Sequence, residues 1–497
     1  MFVNILANIF GRLWGTLSVF LFIPLYIKYL GFENYSIISF SLVLSSLIMI
    51  IGTGFTSALS RELARADINS EKKKTVFVTL ETFFFIIVLF FVLLGLFLIN
   101  IYSGDIIKSD LYSSKEFKYL FCIIIVESGL QFFIKFYLGG FLGLEKHILA
   151  NWFQVLWGVF RNGLVVPVLI ISPILESFFL WQLFVSFIFV FIFRAFLSKE
   201  ISGSYFLLKL NIDVKVLKSI WRFVLGMFLI SLVAAVNTQM DKLMISIKLP
   251  VEELGFYTMS VTLAMGILVI VSPISAAILP RLTSLYSERN VEEATVLYNS
   301  TNFYTSILIF TVMSLLVFNA ERLLFIWTGS HEISYKAGMY LPIIAVSMAM
   351  LSQQVIPYAI AVANGYTKLN NLIGFLSIMI TLPGYWYGIS MYGVFGAAVV
   401  FCFVQCVTCL FYKYLIEKKF SYKSSILESY MYNLIFPLII TSLIAYSLTF
   451  YSFQGISRFI SLLDIGFNFL VTFLLSLLIL KPSFAKKVYL KVLKGNS

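Results

Sequence analysis

Apolar segments of about twenty residues recur from residue 5 to residue 480, joined by short connectors. Each is long enough to cross roughly 30 Å of hydrocarbon as a helix. Charged residues make up 12% of the chain and hydrophobic ones 60%, whereas about 25% are charged in soluble domains. The pattern therefore reads as an all-α polytopic membrane protein. It begins at the N-terminus and runs throughout, so neither a removable signal peptide nor a separate soluble domain is expected.

Fourteen transmembrane helices are expected, near 5–28, 35–58, 76–100, 118–141, 149–171, 176–198, 219–247, 255–280, 299–320, 337–362, 368–389, 393–415, 430–450 and 460–480. Only the turn-like GISMYG at 388–393 separates the eleventh from the twelfth, but the uncharged run 369–412 is too long for one crossing. The net charge of +12 does not point to nucleic acid, because Lys and Arg lie in connectors and the tail rather than on one domain surface. They set topology instead. The connectors 59–75, 199–218 and 416–429 and the tail after 480 fall on one side under this count, which makes that side, and both termini, cytoplasmic.

Internal symmetry narrows the architecture further. KYLGFENYSI (28–37) leads into an uncharged helix ending in SALSREL, and KLPVEELGFYTM (248–259) leads into one ending in AAILPRL, six spans later. An even offset gives both copies the same orientation, so two six-helix lobes related by a pseudo-two-fold along the membrane normal are expected, plus a C-terminal helix pair. The expected divisions are an N-terminal lobe at 1–198, a basic linker at 199–218, a C-terminal lobe at 219–415, and the added pair with a basic tail at 416–497. Two such lobes can rock to expose a cavity to either side, as alternating access requires.

Charges inside spans are expensive and mark cavities or paired sites. Arg12 opens the first span. Glu127, Gln131 and Lys135 form a stripe at four-residue spacing, and Arg161 with Asn162 lies near the middle of the fifth span. Asp241 and Lys242 end the seventh; as helix neighbours about 100° apart, they are expected to make poor partners for each other. Snorkelling to the interface is the alternative for these long side chains. The cationic excess of Arg12, Lys135 and Arg161 suits an anionic headgroup, particularly a diphosphate, which arginine grips bidentately. Glu127, Asp241 and Lys242 are coupling or gating candidates, and Pro24 and Pro273 are hinge candidates. The sequence contains no P-loop or acid-rich metal motif, and the cysteines and both histidines (His147, His331) read as structural or surface residues. An enzyme is not expected, nor a cofactor beyond a proton or sodium ion for coupling.

TQMDKLMISIKLPVEELGFY (238–257) resembles the seventh-helix signature of bacterial polysaccharide flippases of the multidrug, oligosaccharidyl-lipid and polysaccharide exporter superfamily, through Thr238, Gln239, Asp241, Lys242, Leu254, Gly255 and Tyr257. The resemblance implies translocation of undecaprenyl diphosphate-linked oligosaccharide repeat units to the outer leaflet of the bacterial inner membrane, for O-antigen, capsule or exopolysaccharide synthesis. It carries the headgroup role to Arg12, Arg161 and Lys135, and implies membrane lipids and a polysaccharide polymerase as partners. Many O-antigen members have twelve spans; fourteen is the number in lipid II flippases of the same superfamily. Lipid II transport, cation-coupled multidrug export and a non-transporting scaffold for polysaccharide assembly remain alternatives.

Overall fold

The computed structural model describes residues 18, 20–65, 69–102, 112–205, 211–366, 368–421, 426–451 and 457–480. All regular elements among them are helical. Packing divides the chain into two compact units, Met1–Gly255 and Phe256–Ser497.

The N-terminal unit holds α1 (Phe20–Leu30), α2 (Phe32–Ile48), α3 (Ile50–Ala64), α4 (Ser70–Tyr102), α5 (Ser114–Gly143), α6 (His147–Gly158), α7 (Val165–Ile171), α8 (Leu175–Ser202) and α9 (Val214–Lys248). Between α6 and α7 the chain continues through a π-helical turn, Val159–Gly163. α10 (Val251–Ala264) crosses the boundary, and the C-terminal unit continues through α11 (Gly266–Ser287), α12 (Val291–Phe318), α13 (Ala320–Thr328), α14 (His331–Gln353), α15 (Val355–Ala363) and α16 (Lys368–Phe420). It closes with α17 (Ile426–Tyr430), a second π-helical turn (Met431–Ile435), α18 (Phe436–Thr449) and α19 (Arg458–Leu480). Polar residues in the connectors start several of these helices: Ser113, Asp213, Asn290 and Ser330 each accept a hydrogen bond from a backbone N–H of the first turn.

Among the described residues eleven helices are long and apolar enough to cross a membrane, or twelve if α2 and α3, which meet at 56°, form one bent span. This is fewer than the fourteen expected. Most of the expected first span, 5–28, lies outside the described residues, leaving the short apolar α1. The expected eleventh and twelfth spans form one helical segment, α16, interrupted at Gly393, whose φ of 58° and ψ of −142° are not helical. Eight residues of unbroken helix would separate Gly388 from Gly396 by about 12 Å. Instead, a Cβ on Gly388 would lie 3.2 Å from the Gly396 carbonyl oxygen, so the chain folds back on itself there.

Small residues let helices approach where a membrane offers little hydrophobic drive between them. On α5, Gly139 and Gly143 lie against α3: a Cβ on Gly139 would sit 3.0 Å from the Thr56 carbonyl oxygen, and one on Gly143 2.8 Å from the Ser60 Cα. The neighbouring atoms are backbone and cannot rotate away. Next to this seam, Phe77, Phe84, Phe132, Phe136 and Phe141 fill a buried aromatic core.

A buried ion pair pins the same region. Glu81 on α4 accepts both Arg194 Nε (2.6 Å) and Nη2 (2.9 Å) from α8, and the Tyr137 hydroxyl from α5 (2.8 Å). Bidentate geometry and the extra donor offset desolvation, whereas either charge left alone would be strongly unfavourable. Glu81→Leu should therefore lower stability by about 3–5 kcal/mol, and Glu81→Leu combined with Arg194→Met should recover much of that loss. Thermal melts of the purified variants would check this; equal loss in the single and double variants would contradict it. Gly143→Val should also lower Tm by several degrees, while Gly203→Ala, where a Cβ meets no neighbour, should affect stability only through its positive φ of 75°.

Candidate headgroup site in the N-terminal unit

The π-helical turn after α6 determines where Arg161 sits. In a π turn the backbone hydrogen bonds skip one residue further, and such turns are frequent at functional sites. Here the carbonyls of three successive residues accept side-chain donors from other helices: Phe160 from Trp181 Nε1 (2.9 Å), Arg161 from Gln182 Nε2 (3.0 Å) and Asn162 from the Tyr26 hydroxyl (2.6 Å). α1 and α8 therefore clamp the turn from two sides. The guanidinium of Arg161 emerges from a fixed backbone.

Its partner is Glu127 on α5. Arg161 Nη2 lies 3.2 Å and Nε 3.3 Å from Glu127 Oε1, which also accepts the Ser186 hydroxyl from α8 at 3.0 Å. Gln131 Nε2 donates to Glu127 Oε2 at 2.5 Å, and the Trp157 ring flanks the guanidinium with 5.4 Å from its centroid to Arg161 Cζ. Two of the five Arg161 N–H donors reach one carboxylate oxygen. The pair lines a narrow cleft, with Tyr26, Phe178 and Phe179 on its apolar side and Ser41, Ser45 and Asn162 among its polar lining.

The expected stripe on α5 divides by environment. Glu127 and Gln131 are buried, whereas Lys135 is exposed at the surface of the protein, with Arg161 within electrostatic reach. Glu127, Gln131 and Arg161 thus come together, and Lys135 stands outside their hydrogen-bond network. Arg12 lies outside the described residues. Pro24 sits within α1; Pro273 sits within α11, eight residues beyond the break at Met265 that separates α10 from α11, and Val251–Ser287 counts as one span.

Asp241 and Lys242 correct an expectation. Although adjacent on α9, they pair with each other, Nζ to Oδ1 at 3.4 Å, because the lysine chain curls back to donate to the Thr238 carbonyl at 2.6 Å. Four methylenes span the angular gap between neighbouring positions. α9 packs against α2 and α3 within the N-terminal unit.

Residues not singled out from sequence also shape the site: Ser186 and Gln182, four apart on α8, and Trp157, four before Arg161. Polar residues repeating every four positions through an apolar span were the available signal. Among the described residues no cluster of three His, Cys, Asp or Glu side chains could hold a metal ion.

The Glu127 carboxylate is the hub, so Glu127→Ala should strand Arg161 and lower thermal stability by about 3 kcal/mol, while Glu127→Gln, which keeps a hydrogen-bond acceptor, should cost clearly less. Equal melting temperatures in wild type and Glu127→Ala would show that the pair is not structurally required.

Comparison with known proteins agrees with this architecture. A family model described as polysaccharide biosynthesis protein matches residues 1–286, and one described as MatE matches 223–387. No curated protein matches at significance. A lipid II flippase MurJ in an inward closed conformation has a similar fold, with a TM-score of 0.76 at 15% identity, covering 98% of this chain and 100% of that one. An inward-facing multidrug resistance MATE family transporter of the MOP superfamily gives 0.67 at 15% identity, covering 84% and 96%. A MOP superfamily transporter from Pyrococcus furiosus, titled for the reverse polarity of its binding pocket, gives 0.58 at 14% identity, covering 84% and 95%. With more than half its length matched, the chain belongs to the polysaccharide biosynthesis protein family, within the multidrug/oligosaccharide-lipid/polysaccharide exporter (MOP) superfamily of polytopic membrane transporters.

Proposed function

We propose that this chain translocates a polyprenyl diphosphate-linked saccharide across a bacterial inner membrane by alternating access, without covalent chemistry. The observation that carries the reading is Arg161: a guanidinium held on a clamped π turn, at a cleft, with a single carboxylate oxygen as its anionic partner. A diphosphate offers more anionic oxygens than Glu127 Oε1 and matches the guanidinium fork. Arg161 would exchange Glu127 for the arriving headgroup, with Lys135 as a second cation and the aromatic residues of the cleft against the sugar. Release reverses the exchange, and Glu127 closes on Arg161 again. The released Glu127 is the coupling candidate for a proton or a sodium ion. Asp241 and Lys242 remain candidates for gating, and Pro24 and Pro273 for bending.

Two cargoes share this chemistry. The full-length similarity to a lipid II flippase, which extends through the terminal helices where the multidrug structures cover 84% of the chain, supports lipid II. The polysaccharide biosynthesis family and the 238–257 signature support an O-antigen or capsule repeat unit. The fourteen-span, two-lobe arrangement, with both termini cytoplasmic and a terminal helix pair beside the lobes, belongs to either reading, as does a polymerase receiving the product.

Proteoliposomes carrying fluorescent undecaprenyl diphosphate oligosaccharide or lipid II, under imposed proton and sodium gradients, test the proposal. Wild type should move at least one of the two. Arg161→Ala should reduce that movement about tenfold or more per folded molecule, the scale of losing a charged hydrogen bond, and Arg161→Lys should restore part of it. Unchanged transport in Arg161→Ala would overturn the headgroup assignment; dye efflux without movement of either lipid would favour multidrug export.

A further inference from the structure

A third buried carboxylate cluster lies in the C-terminal unit, and it parallels the Glu81 cluster. There, Glu81 joins α4 to α8, spans with α5 and α6–α7 between them. In the C-terminal unit, Glu417, near the end of α16, accepts the Tyr298 hydroxyl of α12 at 2.7 Å; between these lie α14–α15 and the first arm of α16. Both clusters combine a carboxylate, a tyrosine and a base. They differ in the base.

Arg194 satisfies both oxygens of Glu81 and cannot be deprotonated. Its counterpart is Lys413, one turn before Glu417, 1% exposed, with Nζ 4.0 Å from Glu417 Oε1 and no hydrogen-bond partner. Glu417 Oε1 accepts two donors, from Tyr298 and from Ser429 of α17 at 2.7 Å, while Oε2 has none. Asn433, in the second π turn, donates to Ser429 Oγ at 3.1 Å and leaves its own Oδ1 without a donor. The cluster therefore contains a cation lacking an acceptor, a carboxylate oxygen lacking a donor and an amide oxygen lacking a donor, all within a few per cent of complete burial. Such a half-satisfied network is costly unless its charge can change.

We propose that the Glu417–Lys413 cluster is a proton-holding site, in which Glu417 Oε2 takes up a proton from water at the basic end of α16 and returns it. Hydronium loses the proton and becomes water; the new O–H bond forms on Oε2, and no electron moves. The proton supplies the donor that Oε2 lacks, for which Asn433 Oδ1 is an unused acceptor in the same cluster. The other titratable groups acting on the cluster are Tyr298 of α12, Tyr430 of α17, and Cys409 and Tyr414 of α16, with the Tyr430 ring 5.2 Å from Lys413 Nζ. Because Ser429 and Asn433 flank the junction of α17 with its π turn, displacement of that junction would strip Oε1 of a donor and change the proton's hold. The terminal helices thereby gain a part in coupling. The inference deepens the transport reading and rests on it for its purpose, but not for its chemistry.

The full-length chain in lipid nanodiscs provides the test. Infrared difference spectra between acid and alkaline buffer should show a carboxylic acid carbonyl band that titrates in wild type and is absent from Glu417→Gln. Lys413→Arg should also remove it, by giving Glu417 a two-pronged partner of the kind that Arg194 gives Glu81. Melting temperatures near wild type would show that either variant is folded, and one folded variant suffices. A wild-type spectrum with no titrating band, or a band unchanged in a folded variant, overturns the proposal. In the proteoliposome assay Glu417→Gln should lose the response to a proton gradient; an unchanged response overturns the coupling role. Failure of wild type to move either lipid counts against the cargo alone, because the infrared band is read without cargo.

Discussion

A carboxylate removed from water requires a cation and hydrogen-bond donors, and three buried ones organise this protein. Glu81 holds α4, α5 and α8 together with every oxygen occupied. Glu127 holds α5, α8 and the π turn, and its partner Arg161 stands at a cleft. Glu417 joins α12, α16 and α17 with one oxygen unused. The three form a series, from a joint with both carboxylate oxygens held, through one whose arginine lines a cleft, to one with an oxygen left without a donor. Apolar packing alone would not fix the angular settings of these helices, because lipid is as apolar as their surfaces.

Both less settled carboxylates lie beside π-helical turns, and the settled one does not. A π turn alters the backbone's hydrogen bonding and allows side chains elsewhere to fix the chain. Around Arg161, three successive carbonyls are held by Tyr26, Trp181 and Gln182. Around Asn433, the compensation comes through Ser429 and Glu417. In the first case the backbone is held by three side chains and the ion pair lines a cleft. In the second, the hydrogen-bond network itself is unfinished.

Much of the helical arrangement is legible in the sequence, because hydropathy reports directly on what lipid tolerates. The expected spans 337–362 and 430–450 correspond to the apolar helical segments His331–Ala363 and Ile426–Thr449. GISMYG was the visible sign of the fold-back at Gly393, although glycine composition alone does not reveal its positive φ. The four-residue stripe of Glu127, Gln131 and Lys135 was readable, as was Arg161. Their pairing was not, since the separation of 34 residues between Glu127 and Arg161 is bridged only by tertiary packing. Asp241 and Lys242 show the opposite limit: helix geometry argued against a contact that a flexible lysine chain makes. Arg194 and Lys413 stand near the ends of apolar runs, where a long basic side chain can equally snorkel. Only the structure shows that both turn inward.

The π turn at Val159–Gly163 also constrains how this segment can change over evolutionary time. Relative to an α-helix it behaves as a one-residue insertion, tolerated because neighbouring side chains cap the displaced carbonyls. Deleting one residue there would return the turn to regular α winding and move the carbonyls of Phe160, Arg161 and Asn162 off the side-chain donors that hold them. Substitutions other than at Arg161 leave these contacts available, because they are made by backbone carbonyls. A change in its length would displace Arg161 from the cleft, so the site depends on the length of the segment between Trp157 and Val165 more than on most side chains within it.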